Sequence, residues 1–167
     1  MSRAVLALGA NLGDRVDALQ SAIDALAGAG KVLAVSGVYQ TAPVGGPEQP
    51  DYFNAVVVLE TPLSPQALLD LAHDIENAAG RVRLERWGPR TLDVDIIGYD
   101  DSVSSDPELT LPHPRAHERG FVLAPWVEVS PDATLPGHGR IADLLDTVER
   151  SGVHRVDGVA LALPGVG

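Results

Sequence analysis

Two carboxylates one strand step apart, with four arginines just ahead of them, are the residues of this chain best suited to chemistry. They lie in Arg81–Ile97, R-V-R-L-E-R-W-G-P-R-T-L-D-V-D-I-I. Leu92, Val94 and Ile96 alternate with Asp93 and Asp95, which predicts a strand carrying both acids on one face. Two acids side by side on a sheet repel each other and gain nothing from burial. A divalent cation removes that conflict, and two hard oxygen ligands suit Mg²⁺. Arg81, Arg83, Arg86 and Arg90 offer planar forks that match phosphate oxygens. Metal-binding acids beside arginines are what phosphoryl transfer requires, since positioning and charge neutralisation supply most of its catalysis. The same residues also fit an edge strand with solvated acids, after a loop salt-bridged to them.

Other candidates are weaker one by one. Tyr52 and Asn54 share a strand face; a ring that stacks and an amide that both donates and accepts suit a flat heterocycle, or simply an open sheet surface. The stretch 41–50, T-A-P-V-G-G-P-E-Q-P, is rich in breakers and too long for a tight hairpin, a length that marks functional or mobile loops. Glu76, near a helix end before the arginines, could orient one of them, touch a ligand or merely be solvated. His113 and His117 have the i, i+4 spacing of a zinc pair. Pro112 and Pro114 put His113 before or at the helix start, and no acidic base lies between the two as in H-E-x-x-H, which disfavours zinc.

Those residues need a scaffold, and 167 residues are enough for one domain with a real core. The domain is expected over 1–157, with 158–167 a loosely ordered, uncharged tail. Hydrophobic residues make up 45% and aromatics 4%, so aliphatic side chains must build most of the core. A net charge of −11 argues against a general nucleic-acid binder, while the local arginine cluster suits a small polyanion. There is no cysteine, which excludes disulfides and thiolate metal sites. The apolar start Ala4–Ala10 is too short for a signal-peptide core and nothing approaches a membrane span, so a cytoplasmic protein is expected.

Ala4–Leu8 reads as a strand, followed by a glycine turn and a helix capped by Asn11 or Asp14. The turn is neither a Walker loop nor G-x-G-x-x-G. Lys31–Gln40 and Asp51–Glu60 read as strands. Ser64 and Pro65 start a second helix that Gly80 stops. After the Asp93–Asp95 strand, Tyr99–Glu108 reads as a loop and Leu109–Leu111 as a short extended piece. Helices follow over Phe121–Val127 and Ile141–Val148, with Val153–Val156 as an added edge strand. The order strand–helix–strand–strand–helix–strand predicts an α+β, ferredoxin-like βαββαβ core. Its antiparallel sheet has helices on one face and catalytic loops over the other, plus C-terminal helices. Tyr52, Asn54, Asp93 and Asp95 then share the open face.

Four stretches carry a family resemblance in order and spacing, from about Val5 to Pro131. They are L-G-A-N-L-G-D, Y-Q-T-A-P-V-G-G-P-E-Q-P-D-Y-F-N-A, G-R-V-R-L-E-R-W-G-P-R-T-L-D-V-D-I and L-T-L-P-H-P-R-A-H-E-R-G-F-V-L. The chain resembles the hydroxymethyldihydropterin pyrophosphokinases. The resemblance implies an ATP-dependent diphosphotransferase of folate biosynthesis, acting as a monomer on ATP and the pterin, without nucleic acid or membrane. It implies two Mg²⁺ ions on Asp93 and Asp95, and stabilisation of the transferring group by Arg81 and Arg90. The pterin would stack between Tyr52 and Phe121, with Asn54, Thr41, Ala42 and Val44 at its edge and Trp87 sealing the site. On the ATP side it implies His73, Glu76, Arg83, Arg86, Trp87, Arg90, Ile96, His113 and Arg119.

Departures from the family pattern cluster on that ATP side. The Arg83–Arg86 segment is one residue shorter than in the best-known bacterial members and lacks a lysine found there. His73 stands where those members have glutamine, Glu108 where they have arginine, and Pro114 replaces a tyrosine of some. Rival readings are a non-catalytic ferredoxin-like ligand-binding module and a metal-dependent nuclease or phosphohydrolase. Metal-grade acids disfavour the first and the acidic net charge the second.

Overall fold

Alternation fixes the central strand. In β1 (Ser2–Ala10), Ala4, Leu6, Leu8 and Ala10 are buried on one face while Val5 and Ala7 pack on the other. The computed structural model describes residues 1–11, 14–42, 51–80, 92–148 and 152–164. Asp14 caps α1 (Arg15–Ala27), its carboxylate accepting from the Asp17 N–H at 3.0 Å. Gly30 then carries the chain so close beneath the Glu60 carbonyl that any side chain there would collide with it.

β2 (Lys31–Val35) and β3 (Tyr39–Thr41) were expected as one strand over Lys31–Gln40, and the break between them is a correction. Its cause is Ser36, whose buried hydroxyl accepts from the Val56 N–H at 2.9 Å and donates to the Gly37 carbonyl at 2.7 Å. A side chain doing the ladder's work ends the ladder. A register shift between Val32 and Ala34 also spoils the alternation read from sequence. One edge of the long β4 (Tyr52–Thr61) therefore pairs with β2 at one end and β3 at the other.

α2 (Pro65–Gly80) starts as expected, with the Ser64 hydroxyl accepting from the Ala67 N–H. β5 (Asp93–Tyr99) pairs with the other edge of β1. The stretch 99–108, expected as loop, instead ends β5 and forms half a hairpin: β6 (Ser104–Asp106) pairs with β7 (Leu109–Leu111). The Asp106 carboxylate caps its turn, accepting from the Glu108 N–H at 2.9 Å. A short 3₁₀ turn (Ala116–Glu118) leads into α3 (Gly120–Val129), longer at both ends than expected and containing Pro125. β8 (Thr134–Leu135), β9 (Gly139–Arg140), α4 (Ile141–Thr147) and β10 (Val153–Arg155) complete the described elements.

The main sheet runs β10-β3-β4-β1-β5 and is antiparallel throughout, the order the split βαβ plan predicts. α1 and α2 cover one face, where Leu6, Leu8, Leu19, Ile23, Leu26, Leu59 and Leu68 are fully buried. Each such leucine contributes about 1.5–3 kcal/mol relative to exposure. α3 and α4 cover part of the other face over Val56, Ile97, Leu123 and Trp126. What α3 leaves uncovered is open. The tail, expected to be loose, is docked through residue 163: Val159, Leu161 and Leu163 pack on the core, and Ala162 exchanges two backbone hydrogen bonds with the Gln20 side chain. Among the described residues no helix is long and apolar enough to cross a membrane.

Candidate active site

Register places the expected site residues in rows across the open face. β3, β4, β1 and β5 bring Tyr39, Asn54, Gly9 and Asp93 into line. The adjacent row on that face is Val56, Ala7 and Asp95. Neighbouring strands lie about 4.8 Å apart, so Asn54 and Asp93 are roughly 10 Å from each other, with Gly9 as the floor between them. A Cβ at Gly9 would stand 3.2 Å from the Asn54 Oδ1 and 3.6 Å from the Tyr52 ring.

A cleft of about 830 Å³ rises from this floor. Tyr52 and Phe121 line it from different elements, β4 and α3, together with Asn54, Thr41 and Ala42. Asn54 is buried, and its Nδ2 donates to the Thr41 Oγ1 at 2.9 Å and the Tyr39 carbonyl at 3.2 Å. That orients the amide with Oδ1 over Gly9, an acceptor aimed at whatever lies on the floor.

A second cleft, about 410 Å³, lies on the other side of the aspartates and is lined by His73, Glu76, Ile96, Glu108 and His113. Asp93 and Asp95 line both clefts. Glu76 is not merely a solvated helix acid. Its Oε2 accepts from the Val94 N–H at 2.9 Å, between the two aspartates, which ties the start of β5 to α2. His113 is half-buried. Its backbone N–H donates to the Ile97 carbonyl, and its Nδ1 accepts from the Arg115 N–H at 3.2 Å. In the neutral ring the proton is therefore on Nε2. Burial holds His113 below the usual imidazole range; Asp95 pulls it back up, and Arg119 and Arg115 push it further down.

Arg119, expected on the nucleotide side, lines the first cleft, with its guanidinium 5.7 Å from the Phe121 ring centroid. His117 does not join His113: its ring stacks on His138 at 4.0 Å. Val44, Arg81, Arg83, Arg86, Trp87 and Arg90 lie outside the described residues. Gly9, Arg115, Glu118, Gly152 and Val153 also line the first cleft and were missed. Arg115 and Glu118, ion-paired at 3.0 Å, had an i, i+3 spacing that could have flagged them. The Arg115 hydrogen bond holds the Glu118 carboxyl below its usual range. Gly152 and Val153 gave no such sign, because only the β10–β3 pairing brings them there.

Residues 5–131 match the family described as 7,8-dihydro-6-hydroxymethylpterin-pyrophosphokinase (HPPK). A 2-amino-4-hydroxy-6-hydroxymethyldihydropteridine pyrophosphokinase of Methylorubrum extorquens is 41% identical over 159 residues, covering 94% of this chain and 100% of that one. Its Mycobacterium leprae counterpart is 45% identical over 170 residues, covering 92% and 88%. A crystal structure of a Plasmodium falciparum HPPK-DHPS triple mutant with SDX-DHP shares the fold, with a TM-score of 0.70 at 16% identity over 87% of this chain. The chain spans 44% of that Plasmodium chain.

Proposed function

The chain belongs to the 7,8-dihydro-6-hydroxymethylpterin-pyrophosphokinase family, and on that premise we propose that it transfers diphosphate from ATP to the hydroxymethyl group of hydroxymethyldihydropterin in folate biosynthesis, leaving AMP. One observation carries the reading: two clefts of unlike chemistry meet at Asp93 and Asp95. The first suits the pterin. Tyr52 and Phe121 offer the faces of a stack, the Asn54 Oδ1 and the Thr41 hydroxyl read its edge, and main-chain groups of Ala42 and Val44 extend that reading. The second suits the nucleotide, with His73, Glu76 and Ile96 along it.

The hydroxymethyl oxygen attacks the β-phosphorus, and the bridging bond from that phosphorus to the α-phosphate oxygen breaks, releasing AMP. Proximity is most of what this needs, because both reactants are held at one seam. His113 offers an Nε2–H to a phosphate oxygen. Arg119 brings a cation from the pterin side; Arg81, Arg83, Arg86 and Arg90 are assigned to the phosphates, and Trp87 to both substrates, from their places in the family motif.

Asp93 and Asp95 are the proposed Mg²⁺ ligands. The fit rests on two carboxylates on one strand face, hard oxygen donors of the kind Mg²⁺ takes. When bound, two such ions would neutralise phosphate charge and polarise the phosphoryl group. The test is to incubate the protein with ATP, Mg²⁺ and hydroxymethyldihydropterin and identify the nucleotide product. AMP with pterin diphosphate is expected; ADP would mean ordinary kinase chemistry and end this reading.

A further inference from the structure

Three segments of the chain converge on one carboxylate well away from the aspartates. Glu128, near the end of α3, accepts from the Gly37 N–H at 2.8 Å through Oε2 and from the Tyr39 hydroxyl at 2.8 Å through Oε1. The Arg155 Nε of β10 lies 3.4 Å from the same Oε1. Gly37 is in the break between β2 and β3, Tyr39 is the first residue of β3, and Arg155 is its register partner on β10. Arg155 crowds the break as well: a Cβ at Gly37 would fall 2.6 Å from its guanidinium. The ion pair alone would do little, since Arg155 is mostly exposed. The two hydrogen bonds to a charged acceptor are the stronger part.

What Glu128 fastens is the edge of the first cleft. The Tyr39 carbonyl and Thr41 Oγ1, both on β3, accept the two hydrogen bonds that orient the Asn54 amide. Val153 of β10, paired with Thr41, lines the cleft with Gly152. Phe121 starts the helix whose far end carries Glu128. We propose that Glu128 is a positioning residue for the pterin cleft: by tying β3 and β10 to α3 it sets the orientation of the Asn54 amide and the place of β10 as the cleft's outer wall. This rests on the pterin reading of that cleft. Burial and its bond to Glu128 push the Tyr39 hydroxyl up to about 12.

The test uses the full chain and its Glu128→Ala, Glu128→Gln and Tyr39→Phe variants. Affinity for 6-hydroxymethylpterin is measured by fluorescence and affinity for Mg²⁺–ATP separately, beside Tm and the alkaline titration of tyrosine absorbance. Glu128→Ala is expected to weaken pterin binding roughly fivefold, through loss of the two hydrogen bonds to a charged acceptor that hold β3. ATP binding should stay as in the wild type, and the high-pKa tyrosine should move down toward the ordinary range. Glu128→Gln should recover most of the loss, since its oxygen still takes the Gly37 N–H and its amide can donate to the Tyr39 oxygen. Tyr39→Phe should fall between, and it decides the matter if Glu128→Ala does not fold. Wild-type pterin affinity in folded Glu128→Ala or Tyr39→Phe overturns the proposal; so does parallel weakening of pterin and ATP binding with falling Tm. A wild-type protein that binds no pterin overturns the reading of the cleft itself, an outcome distinct from these.

Discussion

Gly9 is the residue at which the smallest change should have the clearest effect. It separates Asn54 from Asp93 in the row across the sheet, and a methyl group there would press on the Asn54 Oδ1. Its backbone is ordinary strand, so alanine brings no conformational penalty. Gly9→Ala is expected to keep Tm and weaken pterin binding several-fold, roughly 1 kcal/mol; a thermal melt checks the first half and calorimetric titration with the pterin the second. Asp95→Ala should abolish AMP formation with the far-ultraviolet circular dichroism unchanged, since the side chain is only partly buried. Ordinary turnover in that variant would refute the metal assignment. At this scale the aspartates, Tyr52 and Asn54 were legible because a period of two sorts side chains by face. Gly9 was not, because an absent side chain carries no pattern; only register shows that its neighbours need the space.

Among the elements, β1, β4, β5 and the two long helices follow from apolar periodicity and caps such as Asp14 and Ser64. Two of the places where that reading failed share a cause: a polar side chain substituted for backbone pairing. Ser36 did so at the break between β2 and β3, and Asp106 in the turn of the β6–β7 hairpin. Periodicity cannot see such substitutions, because they depend on a partner distant in sequence or on a turn of a few residues. Glu76 is a further case, a helix carboxylate that accepts a strand N–H. Glu76→Ala leaves the Val94 N–H without that acceptor and should cost about 1–3 kcal/mol. It should also raise the Mg²⁺ concentration needed for half-maximal AMP formation. Urea unfolding and a magnesium titration of activity measure the two effects.

For the whole molecule, the described part of the C-terminal segment, through residue 164, contributes Val159, Leu161 and Leu163 to the core. Removing 158–167 strips Val159, Leu161 and Leu163 from the core and takes from Gln20 its two bonds to Ala162. Stability should fall by roughly 1–3 kcal/mol, seen as a lower Tm. The uncharged composition of this stretch suggested a frayed end, since composition does not reveal which surface waits to receive it. Alkaline behaviour is also global. Tyr39 has its folded pKa raised to about 12 from 10.0. The stability it lends is complete below pH 10 and is lost as pH climbs through about 12. Tyr39→Phe should flatten that alkaline decline in a pH series of unfolding midpoints.

The division of one β4 edge between two short strands has a mechanical outcome. β2 grips the end of β4 that belongs to the folding core, whereas β3 grips the end that faces ligand. The Ser36–Val38 interruption is itself pinned, by the Ser36 hydroxyl on Val56 and by Glu128 on Gly37, so β3 is set by contacts that β2 does not share. The wall that faces ligand is therefore held by polar contacts of its own, at Glu128 and Tyr39, while β2 is held by pairing over the apolar core.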